Sequence, residues 1–145
     1  VSILNNNLSL AVMEKPVWAG CVTSNTPEML AFLRAGGITH VSWSSQARGY
    51  FLPEALRNRL PPDTAPETCF GSPANAERRA RAESLAGKHG VSAHNIATAW
   101  VLSQPFASFA LIGPRSPAEI ATTMPGALRL SADEVLWLNL ERDSL

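Results

Sequence analysis

The sequence has no pair of cysteines at the spacing of a metal or redox motif; its two cysteines, Cys21 and Cys69, stand far apart. That argues against a zinc site or a disulfide framework and fits a reducing cytoplasm. No apolar run approaches the roughly 20 residues that a membrane-spanning helix needs. No basic segment followed by an apolar stretch opens the chain as it would in a signal peptide. A membrane is therefore not an expected partner. Charge of one sign is not in excess either: Lys+Arg and Asp+Glu number 12 each, for a net charge of zero. Electrostatic capture of nucleic acid is not expected from such a balance. Tyrosine occurs once, as Tyr50, and lysine only as Lys15 and Lys88. His40, His89 and His94 are scattered over predicted strand and helix positions and read as structural. There is no G-x-S-x-G elbow, no H-E-x-x-H and no nucleotide-binding glycine fingerprint. Internal repeats and an initiator methionine are lacking as well. Because Val1 and Ser2 already look like strand, the chain is expected to be a piece of a longer polypeptide.

What is present is a globular composition, 46% apolar and 17% charged over 145 residues, enough for one domain with a core. Strands and helices alternate. Ser2 to Asn7 reads as a strand. Thr26 is a predicted N-cap with Pro27 at the first helical position, and Gly36-Gly37 ends that helix. Ile38 to Ser42 reads as the second strand. Leu52 to Asn75 is rich in proline and reads as a long irregular segment with a short helix near Glu54 to Asn58. Glu77 to His89 is a predicted helix stopped by Gly90, and Ser92 caps another that ends before Pro105. Arg78, Arg79 and Arg81, beside Glu77 and Glu83, read as a solvated, self-paired helix face. Ser108 to Ile112 is the third strand. Ser116 to Glu119 and Ser131 to Glu134 have the spacing of capping boxes, and the second helix is expected to bury Val135, Leu136 and Leu138. Such alternation implies parallel strands joined by crossovers. Three strands form either an open sheet or an arc of a larger barrel.

Ligands of parallel α/β units gather at the C-terminal ends of strands. The first end carries Asn5-Asn6-Asn7, whose amides suit recognition of a carboxamide or, equally, a turn. The second carries Trp43 and then Ser44-Ser45-Gln46 and Arg48-Gly49. An aromatic there can stack on a planar ring, and hydroxyls, amides and a guanidinium can hold phosphate; a core tryptophan with a polar loop is the other reading. The third carries Gly113-Pro114-Arg115-Ser116, either an anion site before a helix N-terminus or a plain strand-to-helix turn.

In this order the three ends resemble the aldo-keto reductases. The carriers are Gly37 to Phe51, Ile96 to Gln104 and Ala110 to Ile120. The resemblance covers essentially the whole chain as one domain, residues 1–145. It implies an α/β fold, the C-terminal part of a (β/α)8 TIM barrel. It implies NADP as cofactor, with Asn5 at the nicotinamide carboxamide and Trp43 stacked on the nicotinamide ring. Ser44, Gln46, Arg48 and Gly49 would lie along the pyrophosphate. Gly113, Arg115 and Ser116 would meet the 2′-phosphate, and Glu119 and Thr123 the adenine side. Three features depart from the family pattern: Ile112 stands where a proline precedes the glycine, with Pro114 following it instead; Thr123 stands where asparagine is usual; and Glu119 brings a carboxylate beside a phosphate.

The family's catalytic Asp, Tyr, Lys and His belong to the first half of the barrel and would precede Val1. Tyr50 and Lys88 do not occupy those positions. Two expectations follow. One is part of an NADP-dependent reductase of aldehydes or ketones, inactive alone, whose partners are the rest of the barrel or a second copy and, once the barrel is complete, a small carbonyl substrate. The other is a non-catalytic, degenerate reductase-like domain for assembly or weak nucleotide binding.

Overall fold

Helices begin where a side-chain oxygen can take up a free backbone amide. In the computed structural model, which describes residues 2–64, 66–124, 126 and 128–145, Thr26 caps α1 (Pro27–Arg34) by accepting from the Met29 amide. Ser92 caps α5 (Ala93–Leu102), and Ser131 caps α7 (Ala132–Leu138), both with the reciprocal bond of a full capping box. The expected strand start at Val1 lies outside the described residues.

The strands are β1 (Ile3–Asn7), β2 (Thr39–Trp43) and β3 (Ser108–Ala110), in the order β1-β2-β3 and parallel throughout. Asn5 pairs with Val41, and Val41 with Phe109. β2 thus runs one residue later than the sequence suggests, taking in Trp43, and β3 stops two residues earlier, at Ala110.

The proline-rich stretch is the main correction. It contains α2 (Glu54–Arg57), a 3-10 turn at Pro62–Thr64 and α3 (Pro66–Phe70). α4 (Pro73–His89) starts four residues before the expected Glu77, capped by Ser72 with Pro73 in its first turn. Proline is harmless in a first turn, where its missing N–H would have had no partner. These prolines therefore open helices rather than break them. Gly90, at φ 67°, closes α4 in the left-handed conformation that glycine adopts without a Cβ clash.

The core lies among the helices and the segment after β1, rather than on the sheet. Leu8, Leu10, Phe70, Leu85, Ile96, Trp100, Val101 and Leu138 form its centre. Asn75 pins the segment after β1 to α4: its Nδ2 donates to the carbonyls of Val12 and Phe70, both at 2.7 Å, and its Oδ1 accepts from the Val12 amide at 2.9 Å. The arginine run of α4 is not a solvated face. Arg81 does pair with Glu77, but its Nη1 also donates to the carbonyls of Trp137 and Arg142, both at 2.7 Å. Arg79 lies over the Tyr50 ring at 4.5 Å and bonds Glu67. The run docks α4 onto its neighbours. In the last helix, Val135 and Leu138 are buried as expected, whereas Leu136 is half-buried and the buried neighbour is Glu134.

The two sheet faces differ. His40 and Ser42 lie fully buried on one, where His40 Nδ1 meets Ser42 Oγ at 2.9 Å and Nε2 meets Ser24 Oγ at 3.0 Å. The alternate residues face the other way. There Ile3 is 61% and Phe109 59% exposed.

Candidate functional site

The segment after β2 turns sharply. Ser44, Ala47 and Arg48 all have positive φ (47°, 49° and 55°), and Gly49 follows at 90°. Left-handed conformation costs a residue with a Cβ about 1–2 kcal/mol, and such strain concentrates at ligand clamps and active sites. Contacts hold the turn in place. Ser45 Oγ donates to the Leu111 carbonyl at 2.6 Å, joining the ends of β2 and β3. Gln46 Nε2 donates to Thr98 Oγ1 at 2.7 Å, and Thr98 Oγ1 in turn donates to the His94 carbonyl at 3.1 Å. The amides of Ala47 and Gly49 close the turn onto the Ser44 and Gln46 carbonyls.

A cavity of about 950 Å3 opens beside this turn. From the second strand end it takes Trp43, Ser44, Gln46, Arg48 and Gly49, and from the third Gly113, Arg115, Glu119 and Thr123. Those candidates, assigned separately from sequence, thus share one space. Its volume falls in the roughly 300–1,000 Å3 range of small-molecule sites. Asn5 and Ser116 do not line it. Asn5 sits on the exposed sheet face, donating from Nδ2 to the Val41 carbonyl at 3.1 Å. Ser116 caps α6 (Pro117–Thr123), its Oγ accepting from the Glu119 amide at 3.2 Å.

Several candidates already have internal partners. The Arg48 guanidinium donates to the carbonyls of Thr64 at 2.6 Å and Asp63 at 2.8 Å, tying the cavity wall to the 3-10 turn. The expected capping box at Ser116 is half formed. The Glu119 carboxylate does not bond back to Ser116; it accepts from the Arg115 amide at 2.6 Å and from Arg115 Nη2 at 3.1 Å. Those two bonds, the backbone one first, hold the Glu119 carboxyl below the usual carboxylate range. The donors proposed for an anion are thus engaged by the protein's own carboxylate.

Two features were not read from sequence. Trp18, in the segment after β1, packs against Trp43 with ring centroids 4.6 Å apart and the planes tilted by 32°. Its partner lies 25 residues away with no local pattern between them, so no periodicity announces the pair. His94, taken as structural, lines the cavity at the start of α5, and Ser92 and Thr122 line it beside His94. Asn95 brings α5 and α6 together there by donating from Nδ2 to the carbonyls of Thr122 and Thr123. No group of His, Cys, Asp and Glu able to hold a metal ion occurs among the described residues. No helix among them is long and apolar enough to cross a membrane.

Comparison with known proteins bears on this arrangement at two levels. No curated protein matches the sequence. In structure, the chain is similar to a thermostable aldo-keto reductase crystallised with the inhibitor epalrestat, with a TM-score of 0.60 and 18% identity. The match covers 95% of this chain and 39% of that one, so the chain spans well under half of the reductase's length. At that identity the likeness speaks to fold alone: an open, three-stranded parallel α/β sheet matching part of a TIM barrel. The sequence profile of the Aldo/keto reductase family matches residues 11–137, most of the chain and both strand ends that build the cavity, and on that ground the chain belongs to the aldo/keto reductase family.

Proposed function

We propose that the chain is the C-terminal part of an NADP-dependent aldo-keto reductase and supplies the cofactor side of the site. The observation that carries this reading is the shared cavity, with Trp43 at one strand end and Arg115 at the other. When bound, NADPH would supply the hydride that reduces an aldehyde or ketone. The residues present fit such a group. Trp43 offers a half-buried ring for stacking, and at Gly113 a Cβ would meet nothing within 4 Å, so backbone is open to a ligand. Arg115 is the cation on the α6 side of the cavity, where a 2′-phosphate would displace the Glu119 carboxylate. Ser44, Gln46 and Arg48 would orient the pyrophosphate between them.

Chemistry is assigned to no residue of this chain. Tyr50 is 1% exposed in the core beneath Arg79, and burial, the largest influence on it, raises the pKa of its hydroxyl further above 10. It is thus a poor proton donor to a carbonyl substrate. The family's Asp, Tyr, Lys and His would come from the rest of the barrel or from a second chain. The uncovered sheet face with Ile3, Phe109 and the 49% exposed Leu111 supports such a partner, because a closed barrel buries that face. The reading places the protein in the cytoplasm.

A second reading, a degenerate reductase-like domain for assembly or weak nucleotide binding, is favoured by Trp18 packed against Trp43 and by Glu119 bonded to Arg115. Titration of the chain with NADPH and NADH, followed by tryptophan fluorescence, separates the two. Saturable binding that prefers NADPH supports the cofactor role. A folded chain that binds neither assigns it to assembly, and light scattering then reports self-association.

A further inference from the structure

Trp18 belongs to a loop that is closed at its neck and tied to its neighbours. Residues 13–21 leave β1 and return, and their two ends meet: Cys21 Sγ lies 3.9 Å from Met13 Sδ. Compact surface loops with close ends are frequently functional. The Glu14 and Lys15 amides donate to the Cys69 carbonyl at 2.8 and 3.2 Å, which fixes the outgoing end to α3. Val17, beside Trp18, packs against the core. On the way back the Cys21 amide donates to the Trp18 carbonyl at 3.2 Å, and Gly20 takes φ 81°, as glycine does at the third position of a type II turn. Beyond the loop, Thr23 Oγ1 donates to Asn7 Oδ1 at 2.8 Å, and Asn7 Nδ2 donates to the Trp43 carbonyl at 3.2 Å. Asn7 is fully buried, so the loop and the backbone of Trp43 share one anchor.

The two indoles are placed differently. Trp43 lines the cavity; Trp18, 54% exposed, does not. Their contact, with centroids 4.6 Å apart and planes tilted by 32°, therefore lies outside the space a ligand would fill. A tryptophan at a strand end turns about two side-chain bonds, and ordering such a side chain on binding costs affinity. A second indole packed against it removes that cost beforehand. Burial is not what keeps Trp18 there, since about half of it stays in water.

We infer that Trp18 is a positioning residue: it fixes the plane of the Trp43 indole, so that the ring on which a flat ligand stacks is set before the ligand arrives. This rests on the cavity being a nicotinamide-cofactor site and adds to it a residue that touches Trp43 and not the ligand. The nicotinamide is common to both cofactors, so the effect falls equally on NADPH and NADH, unlike that of Arg115.

The test is a double-mutant cycle on the full chain: Trp18→Ala, Trp43→Ala and the two together, with Trp18→Phe as the conservative variant. Binding of NADPH and NADH is measured by calorimetry, with circular dichroism to confirm folding. The unsubstituted chain should show the exciton couplet of two tryptophans in contact, and either alanine variant should lose it. Trp18→Ala should weaken both cofactors alike, by about threefold to tenfold, the worth of ordering one side chain. Trp18→Phe should restore most of that loss. In the Trp43→Ala background, Trp18→Ala should change nothing further, because Trp18 acts only through that ring. Tighter binding by Trp18→Ala overturns the role of Trp18, which would then be covering the face the ligand needs. Unchanged binding, a loss confined to one cofactor, an undiminished loss without Trp43, or a native chain without the couplet overturns it too. Each of these leaves the cofactor site standing. No binding of either cofactor by the folded native chain overturns both.

Discussion

The helical core and the strand-end cavity satisfy their polar groups in opposite ways. Around the core, a buried carboxylate and a buried indole are each held by fixed structural partners. Glu134, 5% exposed, accepts from the Ser131 amide, His89 and Lys88; Trp100 Nε1 donates to Asn139 Oδ1 at 2.8 Å. Burial alone would raise the Glu134 pKa, but those three donors outweigh it and hold the carboxyl below its usual range. Around the cavity, bonds are made by groups a ligand could claim, the backbone is strained at three non-glycine residues, and one imidazole nitrogen has no partner. Stability is concentrated in one region and adjustable chemistry in the other.

The sharpest way to break that contrast is to remove one large ring from each side. Trp100→Ala, at a residue 3% exposed in the core, should cost about 3–5 kcal/mol by urea unfolding, against under about 1 kcal/mol for the half-buried Trp43→Ala. Comparable losses would mean that the cavity wall is part of the core.

Acid should act next most strongly, and through His94. Its folded pKa of about 4 lies below its unfolded value, so the native state binds this proton less readily than the unfolded state does. The stability it contributes is complete above about pH 6.5 and is lost as pH falls toward 4, on the order of 3 kcal/mol in all. Buried His40, also shifted down by burial, adds to the loss in the same direction. Glu134, with its lowered pKa, adds a loss only below the ordinary carboxylate range. His94→Gln should flatten the profile between pH 6.5 and 4. An unchanged slope would place the titration elsewhere.

Affinity changes should be smaller. Arg115→Ala is expected to weaken NADPH binding about tenfold while leaving NADH nearly unchanged, the worth of one exposed charge-assisted contact. Glu119→Gln should move the NADPH-to-NADH preference the other way by a few-fold, because it removes the internal competitor. Equal losses for both cofactors would remove the 2′-phosphate role. The smallest effect expected is at Ser44: Ser44→Gly should raise stability by about 0.5 kcal/mol, by relieving a positive φ of 47°.

Local signals were legible where chemistry is local. Thr26-Pro27, Ser92 and Ser131 announced their helices, and the three strands and their parallel sense followed from alternation. Ser72-Pro73 is the same kind of signal, hidden among neighbouring prolines that were read together as irregular. Most of the strand-end candidates share one cavity because the loops after parallel strands converge on one side of the sheet. The fates of their side chains were not legible. Arg48 turning to the Thr64 carbonyl, Trp18 covering Trp43 and the Glu119 carboxylate reaching past Ser116 to the Arg115 amide each depend on three-dimensional approach. Residue type says only that such groups can form bonds; packing decides with whom.

The long connection between Trp43 and Ser108 also orders events in time. β3 pairs beside β2 across a span that holds α2 to α5, and closing so wide a loop is slower than forming the local contacts within it. The Ser45–Leu111 bond that joins the ends of β2 and β3 should therefore be among the last contacts made during refolding. Pulse-labelled hydrogen exchange should find the amides of α4 and α5 protected before those of β3, so that the core would be finished before the strand-end cavity closes.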